Sequence, residues 1–260
     1  MDTATFARRA RTENFPVASF LFPRPLRPHL RAFYGYCRLV DILGDEHDGD
    51  RLRALEELEA QLDEPTWPVM VQLAPTIREF DLPRAPFLGL IEANRQDQSV
   101  TSYPNWPALK DYCTKSADPV GRLVLGLLRR ADEPDLLAAS DDVCTGLQLV
   151  NFLQDVPRDL ALGRVYLPQD ELARFGVERL DRPSPELRAL LDFEAERARA
   201  LLGGGAVLRR RLGGRLGRSV GLFARGGLAA LTALETADWE IFDGRPRPSR
   251  VRLAWEAVRA

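Results

Sequence analysis

Cysteine is scarce in this sequence. Cys37, Cys113 and Cys144 are the only three in 260 residues. Their odd number and wide separation exclude a disulfide framework, and none has the paired spacing of a zinc site, so all three are expected as small buried residues in a reducing compartment. An excess of one charge is missing too. With 36 Lys and Arg against 38 Asp and Glu the net charge is -2, which gives no global reason to expect nucleic acid or an acidic surface as partner. The first residues, MDTATFARRARTENF, lack the apolar run of a secretory signal. The most apolar later stretch, Val220 to Leu234, is interrupted by Arg225 and Gly226-Gly227 and is short for a bilayer. A cytoplasmic protein without a transmembrane helix is expected. Peripheral contact with a membrane stays open on solubility grounds, although no strongly basic amphipathic helix stands out to carry it. Nucleophile motifs are absent as well, and Gly203-Gly204-Gly205 lacks the strand and helix context of a phosphate loop, so it reads as a break between helices.

What the sequence does hold is helical periodicity. Leu52, Leu55, Leu58 and Leu62 recur at intervals of three, three and four, which places them on one helix face. Proline and glycine clusters punctuate the chain without marking a linker. The pattern predicts helices near residues 26–46, 50–63, 67–79, 85–97, 106–130, 133–158, 185–202 and 216–240, packed as one all-α domain over residues 1–260.

Two acidic pairs carry the chemistry. Asp41 and Asp45 close the segment RAFYGYCRLVDILGDE, and Asp155 and Asp159 close LQLVNFLQDVPRDL. On a helix, spacing by four sets both carboxylates on one face, about 6 Å apart along the axis. In a chain with 21 aspartates, about two such pairs arise by chance, so spacing alone decides nothing. Context says more. Each pair ends an apolar, aromatic-containing segment, where carboxylates without a cation would be costly to bury. Asn151 lies four residues before Asp155, and Gln148 three before that. Asn151, Asp155 and Asp159 thus form a stripe of oxygen donors suited to Mg2+, which prefers oxygen and keeps room for water and phosphate. Arg38, Arg158 and Arg164 stand near the pairs and could bind remaining phosphate charge. The rival reading is a set of solvated helix-end acids paired with those arginines.

The segment NFLQDVPRDLALGRVYLP, residues 151–168, closely resembles the second aspartate-rich motif of the squalene and phytoene synthase family. YGYCRLVDILGDE, residues 34–46, resembles the first, with Tyr34, Arg38, Asp41 and Asp45 in register. ENFPVASFLFP, RQDQSVTSY and YCTKSADPVGRLVL look like the hydroxysqualene-forming branch rather than the phytoene branch. The resemblance covers nearly the whole chain. It implies an isoprenoid synthase helical bundle with a central cavity, in which presqualene diphosphate is ionised and the cation is captured by water to give hydroxysqualene for squalene and hopanoid synthesis. It further implies functional neighbours that make presqualene diphosphate and reduce hydroxysqualene. One departure is Ile42, where the family often has a second acid after the first aspartate.

On this reading Asp41, Asp45, Asn151, Asp155 and Asp159 form the metal shell, and Arg38, Gln148, Arg158 and Arg164 meet the diphosphate. Phe15, Phe20, Tyr34, Tyr112 and Phe152 are candidates to wall the carbocation with aromatic faces, worth roughly 0.5 to 2 kcal/mol each; for the phenylalanines, ordinary core packing is the competing account. Tyr34, Tyr112 and Tyr166 add hydroxyls within family-like motifs. Asp97, with Gln96 and Gln98, could hold the attacking water. The same fold could instead condense two prenyl diphosphates head to head, and a non-catalytic scaffold is the rival from another class, favoured only by Ile42.

Overall fold

The computed structural model describes residues 22–244 and Pro246. Helices dominate them, and the extended pairing present is an isolated parallel bridge between Ser102 and Val165. The helices are α1 (Arg27–Asp41), α2 (Arg51–Ala60), α3 (Pro68–Phe80), α4 (Arg84–Gln96), α5 (Trp106–Ser116), α6 (Asp118–Leu127), α7 (Pro134–Ala161), α8 (Gln169–Phe175), α9 (Pro185–Leu202), α10 (Gly204–Leu212) and α11 (Gly214–Thr236). Side-chain caps set several starts. Asp50 accepts from Arg53 N–H, Asn105 from Ala108 N–H and Ser184 from Leu187 N–H, each satisfying an N–H that has no partner inside its helix.

Contacts divide the chain into two compact units, one running to Ser99 and including Pro119–Leu137, the other made of Val100–Asp118 and the residues from Ala138 on. In the first, α1 packs on α3 and α4. Leu30, Phe33, Tyr36, Leu39 and Val40 form its buried stripe. Tyr36 meets Phe87 edge to face and donates its hydroxyl to the Phe87 carbonyl at 2.8 Å, so this buried ring also has its polar end satisfied.

In the second unit α9, α10 and α11 pack together. Their approach is set by glycine. A Cβ on Gly205 would lie 2.4 Å from that of Ala224, and one on Gly217 would lie 2.3 Å from the Arg209 carbonyl. The triple glycine is the expected break between helices, with α9 ending at Leu202 and α10 opening at Gly204, and residues without side chains are what fit at that approach.

Three expectations change. The segment 106–130 is two helices, broken at Ala117 (φ -121°, ψ -53°). The break makes Asp118 the first residue of α6, where its buried carboxylate accepts from Thr145 Oγ1 at 2.8 Å. The segment 26–46 is α-helical only to Asp41 and continues as a π-helical turn over Ile42–Glu46. The helix expected over 133–158 runs to Ala161 with Pro157 inside it, and α8 and α10 were not anticipated. No described helix is long and apolar enough to cross a membrane.

Candidate active site

The first acidic pair sits where α1 changes pitch. Asp41 ends α1 and is exposed, Asp45 lies half-buried in the π turn, and Gly44 between them is buried. A π turn needs outside support, since its wider hydrogen bonding is uncommon and favours functional positions. Here α4 and the turn that follows it provide it. Gln98 Nε2 donates to the Gly44 carbonyl at 3.0 Å and to the Asn94 carbonyl at 2.8 Å. Asn94 fills the space over Gly44 so closely that a Cβ there would meet Asn94 Oδ1 at 2.0 Å. The polar cluster grouped around Asp97 as a water holder thus has a second duty: the amide hydrogens of Gln98 are committed to backbone carbonyls, while Asp97 caps α4, half-buried. Neither Gly44 nor Asn94 was singled out from sequence.

Arg38, one turn before Asp41, reaches Glu46 at 2.7 Å. Tyr34 is half-buried one turn earlier on the same helix. The Cys37 thiol, four residues before Asp41, is pushed well up by burial and then by the Asp41 carboxylate, and burial and then Asp118 push Cys113 up as well. Both stay protonated and inert. Cys113 is fully buried as expected, whereas Cys37 and Cys144 are half-buried.

The second acidic stripe lies in the last turns of α7, with Asn151 exposed and Asp155 and Asp159 half-buried. Arg158 is largely exposed and 3.9 Å from Asp155, too far for a hydrogen bond, and Gln148 is half-buried two turns before Asp155. Gly163, at φ 76°, takes the left-handed conformation that ends the helix. The Arg164 N–H closes back on the Asp159 carbonyl at 2.8 Å.

The chain then pairs with another segment noted in the sequence. Val165 N–H donates to the Thr101 carbonyl at 2.8 Å and Gln169 N–H to the Tyr103 carbonyl at 2.9 Å. This stitching assembles four rings. Phe152 and Tyr166 stack at 4.1 Å and 9°, Tyr103 lies 5.9 Å from Tyr166, and Tyr112 lies 5.6 Å from Tyr166 and 5.3 Å from Tyr103. All four are buried. Phe152, Tyr112 and Tyr166 were candidates, and Tyr103 joins them. A small cleft opens beside this stack and is lined by Phe152, Asp159, Arg164, Tyr166 and aliphatic side chains. Carboxylate, guanidinium and aromatic face therefore meet at one opening. Phe15 and Phe20 lie outside the described residues.

The donors fit magnesium. They are carboxylate and amide oxygens, and among the described residues no three His, Cys, Asp or Glu side chains converge on one point. Magnesium prefers such oxygen donors and completes its octahedron with water and phosphate oxygen.

An ion cluster unnoticed in the sequence, with both its carboxylates buried, ties three helices. Arg197 of α9 pairs with Glu171 of α8 and Glu194 and lies over the Trp106 ring of α5 at 4.6 Å. Burial, and then the neighbouring Glu171, pushes the Glu194 carboxyl up to about 8. Burial also works to raise Glu171, but its hydrogen bonds with Arg197 and Glu194 prevail and hold it below the usual range.

The helical architecture of the described residues is that of isoprenoid synthases of the squalene synthase type. The squalene/phytoene synthase family model matches residues 8–253, and the chain belongs to that family. It is 37% identical over 202 residues to a hydroxysqualene synthase of Zymomonas mobilis subsp. mobilis, covering 73% of this chain and 67% of the relative. It is 34% identical to a phytoene synthase of Mycobacterium tuberculosis, with the same coverages. The crystal structure of squalene synthase HpnC from Alicyclobacillus acidocaldarius superposes with a TM-score of 0.83 at 42% identity, over 91% of this chain and 94% of that one.

Proposed function

We propose that this protein converts presqualene diphosphate and water to hydroxysqualene and diphosphate. The observation that carries the reading is the joint opening of Asp159, Arg164 and the Phe152–Tyr166 stack into one cleft at the end of the Asn151, Asp155, Asp159 stripe. The greater identity to hydroxysqualene synthases than to phytoene synthases supports the branch.

Asp41 and Asp45 on one helix end, and Asn151, Asp155 and Asp159 on another, would hold Mg2+. Bound there, the ion would act as a Lewis acid on the diphosphate, contributing several kcal/mol of charge stabilisation as the bond breaks. Arg164 shares the cleft with Asp159 and meets phosphate oxygen, and Arg38, Arg158 and Gln148 are proposed to help hold the leaving group. In the reaction the cyclopropylcarbinyl carbon to oxygen bond breaks and its electron pair leaves with diphosphate. Water oxygen then bonds to the rearranged cation and gives up a proton. Phe152, Tyr103, Tyr112 and Tyr166 exclude bulk water and set ring faces toward positive charge, while Asp97 is the proposed acceptor that orients the one water admitted.

Incubation with presqualene diphosphate and Mg2+, followed by product extraction, tests the reading. Hydroxysqualene with no turnover of farnesyl diphosphate supports it. Presqualene diphosphate made from farnesyl diphosphate, or phytoene made from geranylgeranyl diphosphate, would transfer the assignment to head-to-head condensation, the second reading that the phytoene synthase relatives favour. Magnesium-dependent binding of a non-hydrolysable diphosphate, read by calorimetry, separates either enzyme from a scaffold.

A further inference from the structure

Eight of the 36 basic residues, and none of the 38 acidic ones, lie in residues 197–234. Arg197 and Arg199 are consumed by Glu171, Glu194 and Glu235. Arg209, Arg210, Arg211, Arg215 and Arg218 are all exposed. They fall on both sides of the elbow between α10 and α11, where Gly213 and Gly214 take φ values of 63° and 48°. The two helices run back to back from there. Gly205 meets Ala224, and Gly217 and Gly221 meet Arg209, so the last turn of α10 and the first turn of α11 share one end. Leu212 and Leu216, half-buried, lie between the arginines in the sequence.

This end is remote from the acidic stripe. Gly204 and Gly205 sit against Ala139 and Val143 of α7, and Gly227, further from the elbow, sits against Leu147. The elbow therefore lies toward the start of α7. From Val143 to Asp155 the helix advances about 18 Å in the opposite direction.

We infer that the α10–α11 elbow docks the protein on the anionic surface of a lipid bilayer. Charge complementarity favours that occupant, and so does the Arg-Leu alternation of RRRLGGRLGR, which sets short apolar side chains among guanidinium groups suited to lipid phosphates. Single-stranded nucleic acid is favoured by stacking aromatics among the basic groups, and residues 209–222 contain none. The surface would let a substrate and product too apolar for water pass between bilayer and protein, a purpose that rests on the proposed function; the docking itself does not.

Co-sedimentation of the full chain with phosphatidylcholine vesicles, with and without phosphatidylglycerol, tests this. Binding is expected only with the anionic lipid and should fall steeply with salt. At about fivefold per basic residue, the triple variant Arg210→Gln, Arg215→Gln, Arg218→Gln should bind about a hundredfold more weakly. Its melting temperature and its turnover of detergent-dispersed substrate should be unchanged. Equal binding of the variant, equal binding to neutral vesicles, no vesicle binding at all, or retention of an RNA or DNA oligomer in place of vesicles would each overturn the inference, as would lost turnover on dispersed substrate. Because the vesicle assay requires no catalysis, its failure is separate from failure of the proposed reaction.

Discussion

Gly44 shows how a single missing side chain shapes the site. Its place over the π turn is occupied by Asn94 Oδ1, so Gly44→Ala should force the turn or α4 to shift at a cost of about 1 to 3 kcal/mol. Turnover should fall with it, and Asn94→Gly in the same chain should recover part of both, measured by thermal melting and product formation. Equal loss in the single and double variants would mean that the contact is not what holds the turn. Gln98→Leu removes both amide donors to the Gly44 and Asn94 carbonyls and is expected to lower kcat more than it raises KM. Glu194 gives a pH test. Its folded carboxyl is raised to about 8, so the folded state keeps a proton that the unfolded chain releases near the ordinary value. Stability should then fall as pH climbs from about 5 to 8, and Glu194→Gln should flatten that slope in melts taken across the range. An unchanged slope would show that Glu194 is ionised in the folded protein.

At the scale of elements, what was legible was what local spacing encodes. The starts of α3, α4, α5 and α9 fall within a residue or so of the proline and cap positions that mark them. What distant partners impose was hidden. The π turn follows from Asn94 and Gln98, some fifty residues away, and the break at Ala117 goes with the seating of Asp118 against Thr145. The Gly203-Gly204-Gly205 run was legible as a break between helices, whereas its close approach to Ala139 and Ala224 is tertiary and was not. In the candidate site, the residues of the second motif were legible through their resemblance to the family, and the stitching of Val165 to Thr101 explains why two separate motifs were visible there. Tyr103 was passed over although it ends one of those motifs; an aromatic in a family-like segment was the available signal. Phe152 belongs to the ring stack and follows Asn151 of the α7 stripe, so Phe152→Ala should destabilise by about 3 to 5 kcal/mol, whereas Tyr166→Phe, which keeps the ring, should cost only about 1 kcal/mol. Comparable losses in denaturant midpoints would contradict that division.

For the whole molecule, near-neutral charge hides a segregation. Acids supply the candidate catalytic stripes and arginines gather at one elbow, an arrangement that a net charge of -2 conceals. The proposed chemistry requires both acidic stripes. The most direct measurement is hydroxysqualene formation from presqualene diphosphate by the native chain, by Asp41→Ala and by Asp155→Ala, each with and without Mg2+. The account predicts magnesium-dependent product from the native chain and a loss of at least about a thousandfold in each variant, with circular dichroism unchanged. Native turnover in either variant, or full turnover in the native chain after chelation, would contradict it.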